Sequence, residues 1–343
     1  MSVVPGDAPA SDVTVVLATY DGERFLEEQV RSIFDQTLLP ARIVASDDGS
    51  TDGTVALLHR LAAESPCPFD VLETGGRQNI RLNFLEPAVA ATTRFISFSD
   101  QDDVWRPRKL EVSVRELIRR DAVLLLHSAG VIDANGIASD EQEPSFPVTQ
   151  RLLRHRTDPW RAVQGFTMTF RRSILDHVDT AMPMRIMFGE EQMFHDGVVA
   201  LAASALGSTV YLRDELASYR LHGSNKVHGN LEIGASGPTD PAERQLDLAD
   251  AVEGWRAWAL DAAGRAAAAG DLEAERGFRA EAIRYERLAD AHRRRADLRR
   301  ASSPASRAGQ MGRMIVAGSY APRRSAGLGP RSLVRDLTLL LDR

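Results

Sequence analysis

Val13-Thr14-Val15-Val16-Leu17-Ala18-Thr19 is an apolar run of strand length, followed by a turn at Tyr20-Asp21-Gly22. Glu23 to Thr37 comes next, with Phe25, Leu26, Val30, Ile33 and Phe34 at helical spacing. The pattern then repeats. Arg42 to Asp47 predicts a second strand, leading into a helix that ends near Glu64. Phe69 to Glu73 predicts a third, followed by a helix over Leu82 to Ala91, and Arg94 to Ser99 a fourth. Strand–helix alternation constrains the fold strongly. Parallel neighbours need a crossover connection, and the crossover helices cover the sheet. The expectation is an α/β fold with a parallel, doubly wound sheet. Ligands of such sheets bind at the C-terminal edge of the strands.

After Asp121 the pattern changes. Ala122 to His127, Gly130 to Asp133, Gln164 to Phe170 and Thr209 to Leu212 predict shorter strands. Asp140 to Trp160 is polar and irregular, which predicts a mobile loop over a site. Gln192 to Leu206 predicts a helix. Pro241 to Arg300 is rich in Ala, Arg, Glu and Leu at helical spacing. Ala301 to Pro330 predicts loose structure, and Ser332 to Leu341 a short amphipathic helix. No internal repeat is present.

Composition removes several function classes. The 343 residues are 43% hydrophobic and 26% charged, ordinary for a globular protein. No apolar run approaches the length of a spanning helix. Met1 to Asp12 lacks the basic and apolar regions of a secretory signal. Cys67 is the only cysteine, which excludes an internal disulfide and a cysteine metal cage. A cytoplasmic location is expected. The net charge of −6 conceals an asymmetry: from Ala291 onward there are twelve Arg and three acids. Arg293, Arg294, Arg295, Arg299, Arg300, Arg323 and Arg324 either pack against the acidic body or meet an anionic surface. A peripheral contact with the inner face of a membrane is one expectation; nucleic acid is not expected as a partner.

The chemistry gathers at the strand ends. Asp100-Gln101-Asp102-Asp103 follows the fourth strand, Asp47-Asp48-Gly49-Ser50 the second, and Asp21 the first. Packed carboxylates repel one another unless a cation or polar ligand offsets the charge. Oxygen ligands suit Mg²⁺ or Mn²⁺, ions commonly shared with phosphates. Taken singly, Asp48 or Ser50 also reads as a helix cap. Three strand ends offering polar groups to one edge are harder to explain as separate caps. A dinucleotide-binding oxidoreductase would need Gly-x-Gly-x-x-Gly after the first strand, and Tyr20-Asp21-Gly22-Glu23-Arg24 has one Gly.

Val15 to Gly22, Ser32-Ile33-Phe34-Asp35-Gln36-Thr37 and Asp47 to Thr54 together resemble the opening of family 2 glycosyltransferases. The likeness continues through Gly165 to Phe170, His195-Asp196 and Tyr219-Arg220-Leu221-His222-Gly223, in order over roughly residues 12 to 230. Ser99-Asp100-Gln101-Asp102-Asp103-Val104-Trp105 is similar to the rhamnosyltransferase-like branch. The resemblance implies a GT-A fold with a mixed, mainly parallel central sheet, over residues 12–235. A C-terminal helical and Arg-rich region, 240–343, would follow.

It also implies roles. Asp48 would hold the base of the donor nucleotide, and Thr19, Tyr20 and Asp21 would line its pocket. Asp100 would contact the ribose or the metal's water shell. Asp102 would ligate Mn²⁺ or Mg²⁺, with His222 in reach of the metal or diphosphate. Asp103 would assist or cap the helix near Pro107. Arg77 or Arg81 would meet the donor diphosphate. Asp196 would be the catalytic base, with Glu190-Glu191 just upstream as rivals. Members of this branch often carry an aromatic after the His-Asp pair; Gly197 stands here, which would widen the acceptor side. The expected activity is inverting transfer of a sugar, L-rhamnose from a dTDP donor, to a cell-surface glycan or lipid-linked acceptor. A UDP-hexose or UDP-galactofuranose donor is the alternative within the class. Outside it stands a non-catalytic scaffold binding glycan or membrane.

Overall fold

All seven residues of strand β1 (Val13–Thr19) are buried, so helices must cover both faces of the sheet at its centre. They are α1 (Glu23–Phe34), α2 (Thr54–Glu64) and α3 (Ile80–Ala90), alternating with β2 (Arg42–Asp47), β3 (Phe69–Glu73) and β4 (Phe95–Ser99). This computed structural model describes residues 11–76, 79–185, 192–223, 238–325 and 327–339. The elements that follow are β5 (Val104–Trp105), α4 (Lys109–Arg119), β6 (Leu124–Ile132), β7 (Ala138–Gln142), β8 (Gln150–Leu152) and β9 (Met168–Arg171). Then come α5 (His195–Leu206), β10 (Thr209–Arg220), α6 (Pro241–Ala268), α7 (Leu272–Arg300), α8 (Pro304–Val316) and α9 (Pro330–Thr338).

The strands form one mixed, mainly parallel sheet in the order β3-β2-β1-β4-β9-β6-β10-β5, with β7 on β6 and β8 on β10. β1 to β4 are parallel, as the alternation requires; β9 runs antiparallel to β4 and β6. Register brings the strand ends level: Thr19 lies opposite Asp47, and Leu17 opposite Ser99. One apolar cluster joins Phe98 and Phe170 of the sheet to Phe84, to α5, and to Trp255, Trp258, Phe278 and Tyr285 of α6 and α7. Residues on either side of the expected boundary at 235–240 thus share a core. No helix among the described residues is long and apolar enough to cross a membrane.

Several sequence expectations are corrected. The runs at Ala122–His127 and Gly130–Asp133 are one strand, β6, with Gly130 inside it. β10 continues past Leu212 to Arg220, because register shifts between Leu212, Glu215 and Ala217 absorb the polar Arg213-Asp214-Glu215. Asp140–Trp160 is not a free loop. β7 and β8 pin it to the sheet, and Phe146 is buried with its N–H donating 2.8 Å to Ser128 Oγ. Ala301–Pro330 is not loose either. Ser303 Oγ accepts from Ser306 N at 3.2 Å, Pro304 occupies the first turn, and α8 follows.

Of the C-terminal arginines, Arg295 and Arg299 turn inward, while Arg300, Arg313, Arg323, Arg331 and Arg335 are exposed. Arg295 pairs with buried Asp336 at 2.9 Å, Arg293 with Glu253 at 2.9 Å and Asp290 at 3.2 Å, and Arg299 stands 3.8 Å from Asp336. The ends of the chain, the Arg324 side chain, Arg77 and Glu190-Glu191 lie outside the described residues.

Removing one partner of a buried ion pair leaves an uncompensated charge, so Asp336→Ala is expected to destabilise the protein by about 3 kcal/mol or more. Urea unfolding of the two proteins measures the difference.

Candidate active site

The first two strand-end turns are sewn together by their own polar side chains. Asp47, 1% exposed, accepts from Thr19 Oγ1 at 2.7 Å, Ser50 Oγ at 2.6 Å, and the N–H groups of Gly49 and Ser50. Asp21 has a positive φ of 45°. Its N–H donates to Ser50 Oγ at 2.8 Å, and its Oδ1 accepts from Thr51 N at 2.7 Å. Glu23 takes the Gly53 N–H at 3.0 Å, and Thr54 Oγ1 takes the Gly22 N–H at 2.8 Å. Much of the Asp-Gly-Ser-Thr-Asp-Gly-Thr run therefore fixes the edge itself. Thr19 and Asp21, expected as pocket residues, bond to neighbouring protein groups. Asp48 is the acid left at the rim, partly buried, with Thr74 Oγ1 3.4 Å from its Oδ1. Tyr20 stands 45% exposed beside it.

Gln101 links this rim to the acidic loop after β4. Its Oε1 accepts from Tyr20 N at 2.8 Å, and its Nε2 donates to Tyr20 O at 3.0 Å. A Cβ at Gly22 would lie 2.2 Å from Gln101 Oε1, so Gly22 is required by this clasp.

The three acids of the loop have separate environments. Asp100 is half-buried at the tip. Burial, then the charges of Asp102 and Asp196, push its carboxyl up to about 7, against the opposing pull of Lys109. Asp102 receives His222 Nε2 at 2.9 Å, joining two residues 120 positions apart. Asp103 is fully buried and does not cap α4. Its Oδ1 accepts the Arg220 N–H at 3.1 Å, while its Oδ2 has no partner among the described residues. Burial pushes the Asp103 carboxyl up and the Lys109 ammonium down, each offset by the other's charge. Lys109 is buried too; it donates to the Phe166 carbonyl and stands 3.9 Å over the Trp105 ring.

Arg220 ends β10 and is 1% exposed. Its Nε donates to Asp102 O at 2.8 Å, Nη1 to Asp133 O at 3.3 Å and Nη2 to Glu28 Oε2 at 2.5 Å. Phe25 packs against both Arg220 and His222. Arg220 closes β10 and His222 follows two residues on, beyond the strand, and both reach the acidic loop.

Asp196 stands in the first turn of α5, where the helix N-terminus favours a carboxylate. Its Oδ1 accepts from Gly197 N at 2.6 Å, and the Gly165 backbone also bonds to it. Burial outweighs these donors and raises the group to about 7. His195, given no role from the sequence, is buried and stacks on Phe84 at 3.8 Å. Gly197 does not simply open space: a Cβ there would meet Met193 Cγ at 2.7 Å. Arg81 is buried with Nη2 donating to Met182 O at 2.7 Å, so it turns toward the 179–185 segment. Gln101, Lys109 and Arg220 were missed by sequence reasoning.

Among the described residues, no three His, Cys, Asp or Glu side chains converge into a closed metal cage. The donor set still fits a hard ion shared with phosphate, which needs only one or two carboxylates. Asp102 and His222 meet at one point, and Asp103 Oδ2 lies orphaned beneath the loop.

Residues 14–179 match the sequence profile of glycosyl transferase family 2. A dTDP-rhamnosyl transferase, RfbG of Shigella flexneri, is 31% identical over 226 residues, covering 64% of this chain and 76% of that protein. An uncharacterized glycosyltransferase of Nostoc sp. is 27% identical, with 62% of this chain matching 66% of its length. The chain thus spans about two thirds to three quarters of these relatives. In fold, residues 1–349 of S. aureus TarS, in complex with UDP-GlcNAc, superpose with a TM-score of 0.51 at 16% identity. That match covers 96% of this chain and 90% of TarS 1–349.

Arg220→Lys keeps the charge but loses the planar fork. With the carbonyls of Asp102 and Asp133 left short of donors, a loss of about 2–4 kcal/mol is expected, read by denaturant unfolding.

Proposed function

Because this chain belongs to glycosyl transferase family 2, and its fold is of the GT-A type, we propose that it transfers a sugar from a nucleotide-sugar donor with inversion at the anomeric carbon. The observation that carries this reading is that the charge of Asp196, on α5, acts on Asp100 of the acidic loop after β4. A carboxyl near 7, at a helix start, faces the acidic loop of a distant strand.

Asp48 and Tyr20, at the rim, receive the nucleotide base, and Asp100 receives the ribose. Asp102 and His222 hold Mn²⁺ or Mg²⁺, which when bound neutralises charge on the diphosphate leaving group. Asp196 accepts the proton of the acceptor hydroxyl as that oxygen attacks the anomeric carbon. One base and one displacement invert the configuration. Thr19, Asp21 and Arg81 act as positioning residues, since each is bonded to other protein groups.

For the donor we favour dTDP-L-rhamnose, supported by the likeness to RfbG. UDP-glucose, UDP-galactose and UDP-galactofuranose are the alternatives. The acceptor is a cell-surface glycan or lipid-linked saccharide, met from the cytoplasmic side. A panel of nucleotide sugars, assayed with Mn²⁺ or Mg²⁺ for released nucleoside diphosphate, tests the donor. Release from dTDP-rhamnose alone supports the first reading, and release from a UDP-sugar the second. EDTA and Asp102→Ala should each abolish turnover. Full activity of Asp102→Ala in chelated buffer removes the metal role.

Asp196→Asn is expected to lower kcat by about a hundredfold or more, the usual scale for loss of a general base. Wild-type kcat should rise with pH to a plateau above about 7, since the base works only when deprotonated and burial raises it to about 7. The pH profile of the residual activity of Asp196→Asn should lack this limb.

A further inference from the structure

α8 and α9 both seat on α7. From α8, Met311 and Met314 join Ala291 and Leu298, and Gln310 donates to Arg294 O at 3.3 Å. From α9, Asp336 and Ser332 bond to Arg295 at 2.9 and 3.3 Å. Two helices packed on the same third helix turn their outer faces away from the body.

Those faces are not those of solvated helices. Val316 is 90% exposed, Val334 64%, Ile315 56% and Leu337 46%. Arg313, Arg331 and Arg335 are exposed on the same two helices. Between Asp297 and Asp336 the sequence has eight Arg and no acid, and Asp336 itself is fully buried in its ion pairs. The surface is therefore aliphatic and cationic, with no carboxylate of its own.

We infer that the α8–α9 face is a docking surface for an anionic lipid membrane. Val316, Ile315, Val334 and Leu337 enter the boundary between headgroups and acyl chains, while the arginines meet lipid phosphates. Charge decides against a second copy of this chain, because a two-fold contact would oppose arginine to arginine. Exposed Val, Ile and Leu also offer no stacking surface to a nucleic acid. The inference deepens the proposed function, since a lipid-linked acceptor lies at that surface. It also relocates the contact from Arg295 and Arg299, which face inward, to α8 and α9.

Flotation of the full-length protein with vesicles tests this. One set contains phosphatidylglycerol and phosphatidylcholine in equal parts, the other phosphatidylcholine alone, each at low and high salt. Binding to the anionic vesicles is expected, weakened by salt and about tenfold or more by Val316→Glu with Leu337→Glu. Arg331→Glu with Arg335→Glu should remove the preference for anionic lipid. Melting and donor hydrolysis in solution should be unchanged in both, which separates failure here from failure of the transferase reading. Absence of wild-type binding to either vesicle, or undiminished binding by the double variants, overturns the inference. So does concentration-dependent self-association that Val316→Glu abolishes.

Discussion

The guanidinium of Arg220 is the joint on which the acidic loop depends. It is 1% exposed and bonds to the main chain of Asp102, the main chain of Asp133 and the carboxylate of Glu28, while its own N–H holds Asp103. Four elements meet there: the loop after β4, the end of β6, α1 and the end of β10. A planar donor fork suits this task because one rigid group satisfies acceptors in fixed directions. His222 reaches Asp102 from just after β10, two residues beyond Arg220.

Charge at this edge is arranged in depth. Asp47 and Asp103 are buried and bonded to protein, so they act as structural acids. Asp48, Asp100 and Asp102 stand nearer the opening. Lys109 lies beneath the loop, offsetting part of the repulsion among Asp100, Asp102 and Asp103. Part of the acid density thus builds the edge itself. Asp196 comes from a separate helix, α5, and its charge acts on Asp100. Burial raises its carboxyl to about 7, against the pull of the backbone donors at the start of α5.

The C-terminal region applies the same chemistry to another end. Arg295, Arg293 and Arg299 are drawn into ion pairs that hold α9 and the α6–α7 hairpin together. Arginine tolerates such burial better than lysine because its charge is delocalised and weakly hydrated. With Arg295 and Arg299 facing inward, the exposed side chains of α8 and α9 include aliphatics and arginines and no acid.

Local sequence was enough for the first half of the fold. Val13 to Ser99 alternates buried strands with amphipathic helices, and only crossover connections satisfy that pattern, so the parallel order and the acidic edge were legible. Membership of the glycosyltransferase family was legible too, because the motifs around Asp48, Asp100–Asp103, Asp196 and His222 stand in the chain in the family's order. Tertiary structure decided the rest, since it depends on contacts between residues far apart in the chain. It separated Asp47 from Asp48 by burial, turned Thr19 and Asp21 into fasteners, and brought Lys109, Gln101 and Arg220 to the loop. It pinned Asp140–Trp160 to the sheet and ordered α8 on α7. No period or spacing encodes these outcomes. Each depends on which side chain reaches a partner first, and on how little water is left around the pair.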